Sequence, residues 1–395
     1  LRALYDRPLT DPPAAFLAAL LLLAGLFPVL ATRWPLRLFE VLPPIVLAYV
    51  AATALAVAGF WAGGPAVDAT RSQVMTLALP ALIFLLLVRC DLRAILALGP
   101  RVLLAFACAT ASITLGFIVA ALLLGGLLPA EAWKPLAAVA GGWVGGTANL
   151  VAVSQAVETS PELLGFALLT DALCYSVWVL ALFATVPLAP RFNAWAKARA
   201  SGDAVATFEP APEAPATPGH ALLWLGLGLS AGLLARELAA LMPQNGVLNA
   251  TSWTLLLMSV AGVLAALTPL RRLPGAEGCG SALLAIVVVT LASQGSFAGL
   301  AAAPWFILAG FIVLAVHAAL MAGAARLFKL DLALVGVASL ANIGGVASAP
   351  LLAAMHAKAL APLGILLALL GYLLGTGVGL ALAAVLPGLM GANGG

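Results

Sequence analysis

The chain has 395 residues, of which 64% are hydrophobic and only 8% are charged, and its mean hydropathy is +1.15. An ordinary soluble domain carries roughly 25% charged residues, so this composition excludes a soluble enzyme. The formal net charge is +3, and no basic run is dense enough to follow a phosphate backbone, which excludes nucleic acid as a partner. The sequence therefore predicts an all-α polytopic protein whose surroundings are the lipid bilayer.

Twelve apolar segments lie between charged or proline-rich breaks. They form two sets of six, separated by residues 190–218, whose many prolines and charges predict a flexible linker. The segments lie at about 14–31, 41–60, 74–88, 102–128, 135–157, 162–188, 219–241, 250–268, 281–300, 303–328, 332–356 and 360–387. We expect two repeats, at 14–188 and 219–388.

The fifth segment of each set contains a Gly-Gly pair in a similar context, GGWVGGTAN at 141–149 and ANIGGVAS at 341–348. Each interior glycine weakens a helix by roughly 1 kcal/mol relative to alanine, so four within six residues predict an interrupted helix. Inside a bilayer, non-helical backbone is tolerated only where it is buried in protein or lines a cavity. The two motifs therefore indicate an internal duplication and a functional site. The alternative is that the glycines only allow helices to pack closely.

The distribution of Lys and Arg predicts the topology. If both broken segments enter and leave the membrane on the same side, each repeat has five crossings and the second repeat is inverted relative to the first. Only five of the 18 Lys and Arg then lie outside, and positive residues favour the cytoplasmic side. We therefore expect a multi-pass protein of the inner (plasma) membrane of a bacterium, with the linker cytoplasmic and both termini outside. The five outer cationic residues are Arg2, Arg7, Arg71, Lys134 and Arg236.

Neutral oxygen atoms surround both breaks, and they suit a dehydrated Na⁺, a hard cation that prefers oxygen ligands. Asn149 is the strongest single candidate, and its alternative role is an interhelical hydrogen bond. We expect no resident metal and no organic cofactor, because Na⁺ or H⁺ would be a transported coupling ion. The expected substrate-binding residues are Gly145, Gly146, Thr147, Asn149, Asn342, Gly344, Gly345 and Ser348. The expected coupling-ion residues are Asn149, Asp171, Ser293, Gln294 and Ser348.

Asp171 lies within an apolar segment that contains no Lys or Arg. An ionisable group in a membrane segment is costly, so it indicates a functional site, either as a ligand of a coupling cation or as a proton carrier. The alternative is a structural carboxyl capped by hydroxyls such as those of Thr170 and Ser176. His317, in the tenth segment, is expected to be a hydrogen-bonded intramembrane histidine.

The motifs GGWVGGTANLVAVSQA at 141–156 and ANIGGVASAP at 341–350 resemble those of the uncharacterised YjcL-type family of bacterial and plastid membrane proteins, over about residues 14–388. That family is similar to the superfamily of cation:proton antiporters, bile-acid:sodium symporters, and glutamate and citrate:sodium symporters. The resemblance implies a homodimer in which each repeat has a scaffold (14–60 and 219–268) and a core (74–188 and 281–388). It implies that the core moves against the scaffold in an elevator-like or rocking manner. It also implies that the substrate and sodium sites are lined by Thr147, Asn149, Asn342 and Ser348.

We therefore expect a sodium-coupled secondary transporter of a small, anionic organic solute. One alternative is a cation:proton antiporter that uses Asp171. The antiporters of the superfamily usually carry adjacent acidic residues in a core helix, whereas Asp171 stands alone, which favours symport. An ion channel that uses carbonyl groups of the same glycines is the alternative from another class. An intramembrane enzyme is not expected, because the three histidines form no HExxH motif.

Overall fold

The computed structural model describes residues 13–34, 44–61, 64–199, 215–245, 247–295 and 303–391. These ranges contain α-helices, short 3₁₀ turns and loops, and no β-strand. The α-helices in chain order are α1 (Pro13–Arg33), α2 (Pro44–Val57), α3 (Pro65–Leu87), α4 (Leu92–Ala97), α5 (Pro100–Leu124), α6 (Trp133–Ala156), α7 (Pro161–Thr185), α8 (Ala189–Ala196), α9 (Pro218–Ala239), α10 (Ala250–Ala266), α11 (Ala276–Ala292), α12 (Ala303–Phe328), α13 (Leu332–Ile343), α14 (Gly345–His356) and α15 (Ala361–Gly391).

Within these ranges, eight helical stretches are long and apolar enough to cross a bilayer. Large apolar side chains such as Leu22 and Leu222 are more than two-thirds exposed on this surface, as lipid contact requires. The protein is therefore a multi-pass helical membrane protein. The eight stretches are Pro13–Arg33, Pro65–Leu87, Pro100–Leu124, Ala130–Ala156, Pro161–Ala196, Pro218–Ala239, Ala303–Phe328 and Lys358–Met390. Shorter apolar helices are α2, α10, α11, α13 and α14.

The helix starts follow from local sequence. Proline lacks a backbone N–H, but the N–H groups of the first helical turn have no intrahelical partner, so the loss costs nothing there. It opens helices such as α3, α5, α7 and α9. Side-chain caps add to this: the Ser160 hydroxyl accepts from the Leu163 amide, and the Asp331 carboxylate accepts from the Leu334 amide at 2.8 Å.

Two elements differ from the sequence interpretation. Helix α3 begins nine residues before the predicted segment at 74–88, because Asp68 and Arg71 pair within its first turns at 2.6 Å and make a polar start stable. Helix α8 occupies the beginning of the predicted linker at 190–218. Residues 200–214 of that linker lie outside the described residues.

The helices pack in two groups. In the first, α3 and α11 contact each other, α3 packs on α9 and α10, and α11 packs on α1 and α2. Glycines permit the approach to α3: a Cβ at Gly262 would lie 2.9 Å from the Phe84 carbonyl oxygen, and one at Gly228 would lie 3.0 Å from Ala81 Cβ. The sequence interpretation assigned α3 and α11 to the core, whereas here they contact mainly the helices at 14–60 and 219–268.

The second group contains α5, α6, α7, α12, α13, α14 and α15. Helix α6 is buried along almost its whole length and packs on α15, with the part before Gly145 antiparallel to that helix. Glycines one turn apart on α15 make this approach possible: Cβ atoms at Gly375 and Gly379 would lie 2.6 Å from the Gly141 and 3.0 Å from the Ala137 carbonyl oxygens. The close-packing alternative concerned the glycines of the two motifs, and Gly141 does pack against α15, since a Cβ there would lie 3.2 Å from the Gly375 carbonyl oxygen.

Candidate functional site

Helix α6 is interrupted at the second of its two Gly-Gly pairs, Gly145-Gly146. Gly145 has φ −132° and ψ 16°, and Gly146 has φ 76° and ψ 174°. The second conformation is open essentially to glycine alone, since a Cβ would clash with the backbone. The sequence GGTAN therefore divides α6 into two half-helices inside the most buried part of the protein.

The Gly-Gly pair of the second motif breaks the chain in a similar way between α13 and α14. Gly344 has φ −110° and ψ −13°, and Gly345 has φ +62°. In both motifs the second glycine of the pair adopts a positive φ. The two predicted interruptions are therefore present.

The two breaks meet at Tyr372 of α15. A Cβ placed on Gly146 would lie 3.1 Å from Tyr372 Cε1, and a Cβ placed on Gly345 would lie 3.5 Å from the Tyr372 hydroxyl oxygen. The helical turn before each break also lies against α15. A Cβ placed on Gly371 would contact the carbonyl oxygens of both Val144 and Ala341. Half-helix ends from two distant parts of the chain thus flank one tyrosine ring.

Asn149 joins the first break to α15 through its whole amide group. Its Oδ1 accepts from the Thr376 amide at 3.0 Å and from the Thr376 hydroxyl at 2.6 Å. Its Nδ2 donates to the carbonyl groups of Gly145 and Tyr372. All four hydrogen-bonding positions of this buried amide are occupied by protein groups, which fits the interhelical alternative.

Asn342 is fully buried before the second break. Its Nδ2 donates to the Ala338 carbonyl at 2.9 Å, and its Oδ1 lies 2.9 Å from the Thr110 hydroxyl of α5. Thr147, after the first break, is half-buried. Of the predicted substrate residues, the structure thus brings Gly146 and Gly345 to Tyr372 and holds both asparagines in hydrogen bonds with neighbouring helices.

Ser348 carries an unpartnered hydroxyl at the second break. The side chain is 3% exposed, its Oγ has no hydrogen-bond partner among the residues that the structure describes, and it lies against Gly344. Leaving a buried polar atom unpaired costs about 1–3 kcal/mol, so this oxygen is suited to a ligand that the bare protein does not supply.

Asp171 is half-buried in α7, and it takes part in no ion pair with the rest of the described chain. The neighbouring group on α6 is the Trp143 indole, which belongs to the first glycine motif. Trp143 is fully buried and packs edge-on against Phe117. The carboxyl of Asp171 therefore lies in the neighbourhood of the first break.

Ser293 and Gln294 lie elsewhere, just after the end of α11. The Ser293 hydroxyl accepts from Arg71 Nε at 3.0 Å and donates to the Thr290 carbonyl at 2.7 Å. Gln294 lines a cavity of about 510 Å³ that also includes Gln155 and Arg71. Within the described ranges no hydrogen bond joins these two residues to Asp171 or Ser348, and their role in an ion site stays a prediction.

His317 is held in a hydrogen-bond chain that crosses four helices. Its Nδ1 lies 2.7 Å from the Ser112 hydroxyl of α5, and its Nε2 lies 2.7 Å from the Ser339 hydroxyl of α13. Ser112 donates to the Ala109 carbonyl and therefore accepts from Nδ1, while Ser339 accepts from Trp178 Nε1 at 2.9 Å and donates to Nε2. The expected hydrogen-bonded histidine is confirmed.

We expect Ser339→Ala to lower the free energy of unfolding by about 2 kcal/mol or more, because it leaves the Trp178 indole N–H and the Nε2 atom of His317 without partners, at about 1–3 kcal/mol for each unpaired group. The control is Ser259→Ala, since the Ser259 hydroxyl donates only to the Leu255 carbonyl of its own helix. Denaturant unfolding of the two purified variants in detergent measures the difference. Equal stabilities would show that the chain through His317 adds nothing.

Several residues of the site were not singled out from the sequence. Tyr372 and Thr376 contact the breaks from the last helix, and Trp143 faces Asp171. The sequence feature that could have identified Tyr372 and Thr376 is the spacing of Gly371 and Gly375, which are one helical turn apart. This spacing marks the face of α15 that approaches another helix.

No match to this chain was found among curated proteins. The model of the family described as "Protein of unknown function (DUF819)" matches residues 17–389, and the chain therefore belongs to this family.

Proposed function

We propose that the protein is a sodium-coupled secondary active transporter of a small, anionic organic solute, and that solute and ion bind where the two broken segments meet. The observation that carries the proposal is the convergence of both Gly-Gly breaks on Tyr372. Paired discontinuous helices are how many secondary transporters build a binding site within the bilayer.

The half-helix ends supply both signs of partial charge. The second half of α6 and the start of α14 present backbone N–H groups, which favour an anionic group of the solute. The carbonyl groups of Val144 and Ala341 end the preceding half-helices and favour a cation. For Na⁺ we assign the unpartnered hydroxyl of Ser348 and the carboxyl of Asp171 as candidate side-chain ligands, because both offer oxygen.

The packing of the first helix group supports an inverted duplication. Helix α3 packs on α9 and α10, the first two membrane helices of the second half, and α11 packs on α1 and α2, the first two of the first half. A two-fold axis in the membrane plane would produce this reciprocal packing, in which a helix of each half contacts the first two helices of the other half. We propose on this basis a scaffold and a moving core, a homodimer, a cytoplasmic linker and outer termini in a bacterial inner membrane. The two glycine motifs also support kinship with the antiporter and symporter superfamily.

The test is thermal unfolding of the purified protein in NaCl, KCl and choline chloride. A ligand at 100 times its dissociation constant adds about 2.7 kcal/mol to the stability of the folded state, so we expect a shift of the midpoint specific to sodium. Ser348→Ala and Asp171→Asn should reduce the shift. The controls are Ser259→Ala, in α10, and Glu162→Gln, in the first turn of α7, and both should retain it.

A cation:proton antiporter is the second candidate, and the absence of an ion pair at Asp171 within the described chain favours it. It predicts proton-driven cation flux in proteoliposomes that Asp171→Asn abolishes, without any organic solute. If no cation stabilises the wild type, sodium symport is wrong. Unitary conductance in single-protein recordings would identify a channel instead.

A further inference from the structure

A cavity of about 510 Å³ lies in the first helix group, between α3, α9, α10, α11 and the end of α6. Two guanidinium groups line it, those of Arg71 and Arg236. Asp68 is the one carboxylate among the described residues of its lining, so their charged side chains sum to one net positive charge. The volume is within the range of about 300–1,000 Å³ that small-molecule sites occupy.

Arg71 is buried and held in a fixed orientation. Its Nη1 donates to Asp68 Oδ1 at 2.6 Å, its Nε donates to the Ser293 hydroxyl at 3.0 Å, and its guanidinium carbon lies 4.9 Å from the centre of the Phe16 ring. A side chain restrained in this way loses little conformational freedom when it binds a ligand.

Arg236 differs from Arg71, because it is exposed and forms no ion pair with any other described residue. The start of α10 adds to the positive potential, since Ala250 and Thr251, its first two residues, line the same cavity. Backbone N–H groups at a helix start have no intrahelical partner and favour anions. The guanidinium fork of arginine matches a carboxylate in two parallel hydrogen bonds.

The rest of the cavity wall contains both polar and apolar side chains. Gln155 and Gln294 contribute amide groups, and Met75, Leu79 and Leu255 contribute apolar surface. Such a wall suits a molecule with one anionic end and an apolar or weakly polar body. An inorganic anion would leave the apolar side of the cavity without a partner.

The cavity is separate from the two breaks. None of the glycines of the breaks lines it. Gln155 follows Gly146 by nine residues of α6, which corresponds to about 14 Å of helix. Both arginines also belong to the five cationic residues that the charge distribution places outside.

We propose that this cavity is an outer binding site for a small organic monocarboxylate, with Arg236 and Arg71 as the carboxylate-binding residues. The inference rests on the proposed function, because it makes this cavity the site that the solute binds first, before it reaches the two breaks. It defines the solute class more narrowly as a monoanionic carboxylate with an apolar body.

The test measures thermal unfolding of the full-length purified protein in choline benzoate and choline pyruvate, against choline chloride and choline phosphate. We expect benzoate or pyruvate to raise the midpoint, and Arg236→Gln to weaken the apparent affinity at least tenfold. Arg236→Lys should weaken it less, because it retains the charge but not the fork. Gln294→Ala is a second variant that removes an exposed side chain of the wall. The control is Arg326→Gln, which alters an exposed arginine of α12 away from the cavity.

Because these titrations contain no sodium, the two proposals fail separately. Equal affinity for the carboxylates in wild type and in Arg236→Gln would overturn the outer site, as would the absence of any shift, even if sodium stabilises the protein. Stabilisation by phosphate alone would overturn the assignment to a carboxylate. Carboxylate binding that Arg236→Gln weakens, in a protein that sodium does not stabilise, would support the site and refute sodium symport.

Discussion

Gly375→Ala is expected to destabilise the protein by about 3 kcal/mol or more, at the upper end of what an overpacked interior costs. A Cβ at this position would lie 2.6 Å from the Gly141 carbonyl oxygen and 2.7 Å from Gly145 Cα. Both are backbone atoms, so no side-chain rotation relieves the contact, and α15 must move away from α6. The measurement is the unfolding midpoint in detergent, together with the fraction of protein that remains monodisperse.

Gly377→Ala is the matched control on the same helix. A Cβ at Gly377 has no atom within 4 Å, and alanine is favoured over glycine in a helix by roughly 1 kcal/mol. We expect this variant to be as stable as the wild type or more stable. If the two variants behave alike, close approach of α15 to α6 is not what holds the break in place.

Moving α15 away from α6 has a functional consequence under the proposed transport mechanism. Tyr372 lies on the same helix, one turn before Thr376, and it flanks both breaks. A displaced α15 would separate the ring from Gly146 and Gly345. We therefore expect Gly375→Ala to lose any sodium-dependent stabilisation, whereas Gly377→Ala keeps it.

Local features of the fold were predictable from the sequence. Clustered glycines predicted both interruptions, and Gly146 and Gly345 adopt positive φ angles that glycine tolerates without steric cost. The apolar runs predicted the order of the membrane helices. These inferences depend only on neighbouring residues, and the chemistry of glycine and of apolar segments is sufficient for them.

The pairing of the helices was not predictable, because a dozen apolar segments of similar composition offer many alternative contacts. Asn149 finds its partner in Thr376, 227 residues away, and Arg71 finds Ser293, 222 residues away. No periodicity within one segment encodes such a contact. For the same reason the assignment of Ser293 and Gln294 to the ion site of Asp171 had no support beyond their position at the end of a segment.

Asn149→Asp is the other substitution for which we expect a large effect, a loss of about 3–5 kcal/mol in the free energy of unfolding, as for an uncompensated buried charge. The carboxylate keeps an acceptor for Thr376, but it loses both donors and places an oxygen against the carbonyl groups of Gly145 and Tyr372. Asn193→Asp is the control, because Asn193 uses its Oδ1 as an acceptor for the Leu332 amide at 2.8 Å, and aspartate retains that role.

The same variant separates the two roles that the sequence allowed for Asn149. If the amide only joins the first break to α15 by hydrogen bonds, Asn149→Asp loses the same stability in choline chloride and in NaCl. Sodium then restores none of the lost stability. If Asn149 is a ligand of the coupling cation, a carboxylate at this position attracts sodium more strongly, because it replaces a neutral oxygen with a charged one. Sodium would then restore more stability to Asn149→Asp than it adds to the wild type. Four occupied hydrogen-bonding positions lead us to expect the first result.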